Sequence, residues 1–472
     1  MGKIVFALPA HWDFERRTAT TLHVVGLDGI PWPCKVAREN NLVSISRNRD
    51  ESGHVFVAYP FREYGELTIA TGTLPESEKP YRLLKELARG TLNRLRNQIS
   101  NWLEGGLEID SRSLELLNEA VDEFGQCALA ENDTLSDQHA ERSLNLAIEA
   151  VFKVSRLFGE SVFPLRTGHI NVPKHWLGCE GVCQRGSHTA KESIGGVFDI
   201  FQIQTLDECN ENFENIVFGP LLDASPGGML KQWQELADFE ERQVDTMRSC
   251  REFLAQAPGS VKLLHVASGL NGVGHRLLSY PQQLQLTLDL LEMIENSSRQ
   301  IPTLVSFDCP WGERLAWSVG GVHPLQIADS ILRRGVTVSM LGLDINLDYW
   351  PNGCLPRDPL QWLELIDVWS QLGLPLVVRL CAPTFVKSLV AVDRERSVNA
   401  TRESMNDTQM QDLLKTVIPM MLARPAVQGI IWSQGHDGGD IRYPSAGLVD
   451  IDGQAKPIAN IFTYLNELAK RG

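Results

Sequence analysis

The stretch VSFDCPWGERLAW, residues 305–317, opens as an apolar, β-branched run and breaks at an acid, a proline and a second acid. A run apolar at every position reads as a strand buried on both faces, and an abrupt polar end places Asp308 where such a strand meets a loop. Outward from it the same grammar repeats. Short apolar runs at 177–182 (LGCEGV), 215–222 (NIVFGPLL), 262–268 (KLLHVAS), 338–347 (VSMLGLDINL), 375–381 (PLVVRLC) and 429–434 (GIIWSQ) make seven with TLVSFD, and FDIFQIQ at 198–204 is a possible eighth. Amphipathic helical patterns lie between them, which argues for parallel βα units and, at this length, a (β/α)8 TIM barrel in the α/β class.

The rest of the chain reads differently. Residues 1–80 carry short strand-like runs such as TLHVVGL, NLVSISR, HVFVAYP and ELTIATG, separated by turn-forming residues, and predict a small all-β domain resembling a sandwich. From Tyr81 the period changes: Leu84, Leu87, Thr91, Leu95, Ile99 and Trp102 fall three to four apart, and 81–164 reads as a helical connector. Its basic positions, Arg82, Lys85, Arg89, Arg94 and Arg96, read as a solvated helix face. The barrel then occupies 165–472.

Composition narrows the partners. The 472 residues carry a formal charge of -15, which repels nucleic acid and anionic lipid and suits a neutral or cationic ligand. The N-terminal run lacks a signal-peptide core, and no segment approaches the ~20 apolar residues of a membrane span, so a cytoplasmic location is expected, or an extracytoplasmic one if the N-terminus is incomplete. Nine scattered cysteines do not form a disulfide scaffold. His175, Cys179, Cys183 and His188 invite a zinc reading, but their spacing does not match the usual ligand pairs, so no metal and no cofactor is expected.

The C-terminal run GIIWSQGHDGGDIRYPSAGLVDIDGQAKPIANIFTYL, residues 429–465, resembles the last strand and helix of the family-10 glycoside hydrolases, the xylanase-type barrels. Trp432, Gly447, Leu448, Val449, Asp450, Gly453, Lys456 and Pro457 carry the likeness. VSMLGLDIN is similar to that family's sixth strand, LGLPLVVRL to its seventh, VKLLHVAS to its third, and TLVSFDCP falls where its fourth delivers the acid/base carboxyl group. The resemblance implies a carbohydrate partner, with His265 at a sugar-site position. The chain departs from the pattern at both catalytic glutamates: Phe307-Asp308 stands where an Asn-Glu pair is expected, and VVRLCAPT puts Leu380 or Cys381 at the nucleophile position. Retention needs two carboxyl groups about 5 Å apart and inversion about 6.5–9.5 Å, so the retaining mechanism does not carry over residue by residue.

The candidate site follows from the residues. Asp308 and Glu313 read as an acid pair, or else as a strand end and a helix cap. Asp344 and Asn346, two apart on one strand, share a face. Trp350 beside acids in a βα loop suits sugar stacking. Trp432, His436, Asp437 and Asp440 concentrate in a glycine-rich loop. Arg379, a charge inside an apolar strand, requires a partner, with Asp344 or Asp308 the candidates. The leading expectation is a divergent glycoside hydrolase on a β-linked, xylan-like poly- or oligosaccharide, with Asp308 or Glu313 as general acid, Asp344 or Asp437 as base, and His265, Asn346, Trp350, Arg379, Trp432 and His436 binding substrate. The alternative is a non-catalytic glycan-binding barrel, and a third reading is a scaffold for the N-terminal domain. Oligomeric state stays open.

Overall fold

A computed structural model describes residues 2–9, 12, 21–77, 79–168, 175–180, 198–204, 214–225, 233, 236, 238–271, 277–318, 320–384, 405–438 and 443–471. Two small sheets begin the chain: β4(Cys34–Glu39), β5(Leu42–Arg47), β1(Gly2–Ala7) and β8(Tyr81–Arg82) in one, β3(Pro31–Trp32), β2(His23–Gly26), β6(Gly53–Phe61) and β7(Gly65–Ala70) in the other. The period-2 burial of β1 and β5 is the signature of one face in and one face out. β7 is buried at all six positions, because it also packs against the helical connector. The last strand of the first sheet, Tyr81–Arg82, leads straight into the first connector helix.

The connector is α1(Leu83–Glu104), α2(Ser111–Leu129) and α3(Asp133–Gly168). In α1 the stripe from Leu84 to Trp102 is buried, as its spacing requires. Gly90 interrupts a good helix, at an entropic cost, because a Cβ there would lie 2.4 Å from the Ala70 carbonyl oxygen of β7. The basic residues of α1 are not simply a solvated face. Arg94 lies against Asp358 of the barrel at 3.1 Å, and Arg82 pairs with Asp137 and Asp133 of α3.

The barrel comprises β9(Trp176–Glu180), β10(Ile200–Ile203), β11(Ile216–Phe218), β13(Val261–Leu270), β14(Thr303–Asp308), β15(Met340–Asn346), β16(Leu376–Cys381) and β17(Val427–Trp432). All pair in parallel; β17 joins β9 and β11 joins β13, closing eight strands, with β12(Leu222–Asp223) an extra short strand beside β13. Among the described residues six helices follow strands three to eight: α4(Phe239–Gln256), α5(Tyr280–Glu295), α6(Pro324–Leu332), α7(Pro359–Ser370), α8(Asp407–Leu422) and α9(Asn460–Ala469). The connector covers another part of the wall, since α3 packs on α8 and α9. Arg166 near its end donates to the carbonyls of Leu422 at 2.7 Å and Pro425 at 2.9 Å, capping the C-terminus of α8. No helix among the described residues is long and apolar enough to cross a membrane.

FDIFQIQ supplies the second barrel strand, and this changes the count. TLVSFD is the fifth strand and KLLHVAS lies within the fourth, so the alignment of Asp308 with a fourth-strand acid/base position is corrected. The strand that stands fourth ends at Leu270, and Asn271 follows it.

The β domain and barrel share a polar seam. Thr68 donates its backbone N–H to the Pro356 carbonyl at 2.7 Å, and Gln361 Nε2 donates to the Thr68 carbonyl at 2.6 Å. Gln361→Leu strands buried groups on both sides, with an expected cost of about 1–3 kcal/mol. Native-state hydrogen exchange should show faster opening of 65–70; unchanged protection there would mean that the seam does not couple the two units.

Candidate functional site

Side-chain alternation builds the barrel interior in layers. Ile200, Val217, Leu263, Leu304, Val377 and Ile431 form an apolar floor, with Trp176 and Met340 packed on it. Two residues further along the same strands come Gln202, His265, Ser306 and Arg379, so the apolar floor gives way to polar side chains towards the C-terminal end, where barrels of this class hold their chemistry. Gly342 makes the layer possible, because a Cβ there would meet that of Ser306 at 2.4 Å.

Arg379 is the hub. Its Nη1 donates to Asp344 Oδ1 at 2.7 Å and to Ser268 Oγ at 3.2 Å, while Nη2 donates to Glu180 Oε2 at 2.7 Å. Glu180 Oε1 accepts from Gln204 Nε2 at 2.9 Å. Asp344 Oδ2 accepts from Ser306 Oγ at 2.7 Å, Ser268 Oγ at 3.1 Å and the Gly269 N–H at 3.3 Å. Burial pushes the Glu180 carboxyl group up, and Arg379 and Gln204 only partly offset it. Burial acts on Asp344 too, but Arg379, His265 and Ser306 outweigh it and hold that carboxyl group below the usual range. Two carboxyl groups on one guanidinium are thereby driven in opposite directions.

The other candidates fall into separate places. Asp308 is 2% exposed and takes Arg314 Nη1 at 2.7 Å and the Asn346 amide at 3.4 Å; Asn346 also donates to Tyr443 Oη at 3.0 Å. Glu313 does not join it. It begins a short 3-10 helix, Glu313–Trp317, is fully buried, accepts from the Leu355 N–H at 3.2 Å and lies 3.8 Å from Arg357, whose guanidinium stacks over Phe56 of the β domain. The proximity of 308 and 313 in sequence therefore separates into a strand-end contact and a seam contact.

Asp437 pairs with buried Lys456 at 2.5 Å and accepts from the Gly447 N–H at 2.9 Å, and burial raises its carboxyl group while lowering the lysine. His436 Nδ1 lies 2.9 Å from the Asp437 carbonyl oxygen. Trp432 is fully buried, donates to the Ala446 carbonyl at 2.8 Å and packs edge-on to Phe462 of α9, so its ring supports the wall and offers no face to a ligand. Trp350 is half-buried and its ring lies 4.8 Å from that of Trp317, which is 39% exposed. His265 is fully buried in the polar layer, and burial, with Arg379 nearby, lowers it to about 3.

Asp440, Cys183 and His188 lie outside the described residues; Cys179 is buried on its strand, and no group of metal-ligating side chains occurs among the described residues. The sequence reading passed over Glu180, Gln202, Gln204, Ser268, Ser306 and Arg314, and Lys456 entered only through the family likeness, without a role. Glu180 carried the same signal that singled out Arg379, a charge at the end of an apolar strand.

No family model matches the sequence, and no curated protein matches it. Among solved structures the chain is similar to xylanase 10B from Thermotoga petrophila RKU-1 in complex with xylobiose, at 12% identity over 64% of this chain and 99% of that one, TM-score 0.43. It is also similar to native xylanase 10B from Thermotoga maritima, at 12% identity over 66% of this chain and 98% of that one, TM-score 0.43. A psychrophilic glycoside hydrolase family 10 endo-beta-1,4-xylanase gives 12% identity over 61% and 96%, TM-score 0.42. The protein is a (β/α)8 barrel preceded by small β sheets and a helical connector, with a charged network at the C-terminal end of its strands.

Proposed function

We propose that this barrel is a divergent glycoside hydrolase acting on O-glycosidic bonds of a β-linked, xylan-like poly- or oligosaccharide, with Glu180 as the carboxyl group that holds a proton and Asp344 as its ionised partner. The observation that supports this reading is the pair itself. Glycoside hydrolysis needs one protonated and one ionised carboxyl group, and paired titratable groups whose surroundings drive them apart mark acid and base roles. Here Asp344 is surrounded by donors, whereas Glu180 accepts from Arg379 and Gln204 and is desolvated. A cytoplasmic location, with a soluble oligosaccharide as substrate, goes with this proposal.

A second reading, glycan binding without cleavage, is favoured by a different observation. Asp308, Asp437 and Glu313 each face a cation, Arg314, Lys456 and Arg357 respectively, so three of the four acids expected from the sequence to be catalytic stand in ion pairs away from the Arg379 network. Reducing-sugar release from xylan, glucan and mannan oligomers separates the two. Glu180→Gln and Asp344→Asn are each expected to lower hydrolysis by at least about 100-fold, the scale of general acid–base catalysis. Glu313→Gln, in the seam, should leave the rate per folded molecule intact. Binding by calorimetry with no cleavage of any glycan would establish the second reading, and loss of activity in Glu313→Gln alone would return the catalytic role to the 308–313 segment.

A further inference from the structure

His265 is the residue that the family likeness would give to a sugar, yet it is fully buried and both its ring nitrogens are engaged inside the barrel. Gln202 Nε2 lies 3.2 Å from His265 Nδ1 and 3.2 Å from the Gly219 carbonyl oxygen. An amide nitrogen only donates, so its two hydrogens serve that carbonyl and Nδ1, and Nδ1 must present its lone pair. Turning the amide over would set its oxygen against the Gly219 carbonyl oxygen, acceptor on acceptor. A neutral ring with a bare Nδ1 carries its hydrogen on Nε2, which is 2.9 Å from Ser306 Oγ. Ser306 accepts that hydrogen, and its own hydroxyl hydrogen then points to Asp344 Oδ2 at 2.7 Å.

We propose that His265 is a positioning residue: Gln202 fixes its Nε2–H tautomer, which orients the Ser306 hydroxyl to donate to Asp344 and keeps that carboxylate ionised opposite Glu180. The role of the relay in catalysis rests on the hydrolase reading above; its direction does not. The charged groups facing the ring are Arg379 and Asp344, and with Arg379 already balancing the carboxylate a second positive charge on His265 has no counter-ion of its own. The relay thus starts from a neutral ring and ends on a carboxylate, and no proton needs to move along it.

The test has two arms on the full-length protein. In the first, histidine is labelled with ¹⁵N and the long-range ¹H–¹⁵N pattern of His265, assigned by comparison with His265→Asn, is followed from pH 5 to 8. A neutral Nε2–H pattern that does not titrate is expected; an Nδ1–H pattern, or titration within that range, overturns the proposal whether or not the protein is an enzyme. In the second, Ser306→Ala is compared with wild type on whichever glycan is cleaved. Loss of a donor to the ionised form of Asp344 should move the acidic limb of the kcat profile up by about one pH unit, tenfold in the protonation equilibrium, with KM unchanged. An unmoved limb in a folded variant overturns the link to Asp344. Absence of hydrolysis in the wild type overturns the hydrolase reading instead, and leaves the tautomer to be decided by the first arm. Should Ser306→Ala not fold, Ser306→Cys carries the same comparison, with a weaker donor and a smaller upward shift.

Discussion

Arg379→Met is expected to destabilise the protein by about 3–5 kcal/mol, the cost of breaking a buried ion pair by removing one partner. Methionine keeps much of the side-chain volume, so the loss is electrostatic and not a matter of packing. Asp344 and Glu180 would remain inside the barrel, 5% and 8% exposed, without the guanidinium that each meets at 2.7 Å. Both carboxyl groups would then have folded pKa values above their unfolded ones. A carboxyl group raised in this way stabilises below its unfolded value, about 4, and loses that contribution as pH rises, so the deficit should be large at pH 7 and shrink towards pH 4. Arg379→Lys should rescue only part of it, because an ammonium cannot fork to two carboxylates with fixed planar geometry. The triple variant Arg379→Met, Asp344→Asn, Glu180→Gln should recover most of the loss, since a buried ionic cluster replaced as a whole is often tolerated. Urea denaturation at pH 7 and pH 4.5 checks this. A single variant within about 1 kcal/mol of wild type at pH 7 would mean that the network is hydrated and loose, and with it the acid/base assignment would fall.

The barrel was legible because parallel strands covered by helices leave continuous apolar runs, and seven of the eight runs are unmistakable. The eighth, Ile200–Ile203, is four residues long and includes Gln202, a polar residue that faces the interior layer, and this diluted its signal. Underweighting it shifted the strand count and put Asp308 at the wrong station. Arg379 could be read as needing a partner, because an unpaired charge in an apolar strand is not tolerated. The sequence could not say that two acids would share it, since Glu180 and Asp344 lie 164 positions apart and meet only through barrel closure. Glu313 was read as an acid near Asp308, but the intervening Gly312, at φ 71°, turns the chain and delivers that side chain to the seam. Trp432 looked like a sugar platform from its neighbours in the loop, whereas alternation along β17 puts Ile431 inside the barrel and Trp432 outside, against α9.

Asp344→Asn and Glu180→Gln, chemically similar changes on one guanidinium, should differ in both size and pH dependence. The Asp344 carboxyl group sits below its unfolded value, so its ionised form stabilises the fold; that contribution is present above about pH 4, the unfolded aspartate value, and is lost as pH falls through the folded pKa. Asparagine at 344 loses it, can no longer accept as an anion from Ser306 and Arg379, and should cost about 3 kcal/mol at pH 7. Glu180 lies on the other side of its reference. Burial raises it, so its neutral form is favoured in the fold, and its stabilising contribution is present below about pH 4, the unfolded glutamate value, and lost as pH rises through the folded pKa. Glutamine at 180 mimics that neutral form, keeps an acceptor for Arg379, and should cost under about 1 kcal/mol at pH 7. The two substitutions should therefore diverge at neutral pH and converge as pH falls through the lowered folded pKa of Asp344. Equal losses for the two at pH 7 would show that Arg379 holds both carboxylates alike, and a pair held alike has no member set apart to carry a proton to a leaving group.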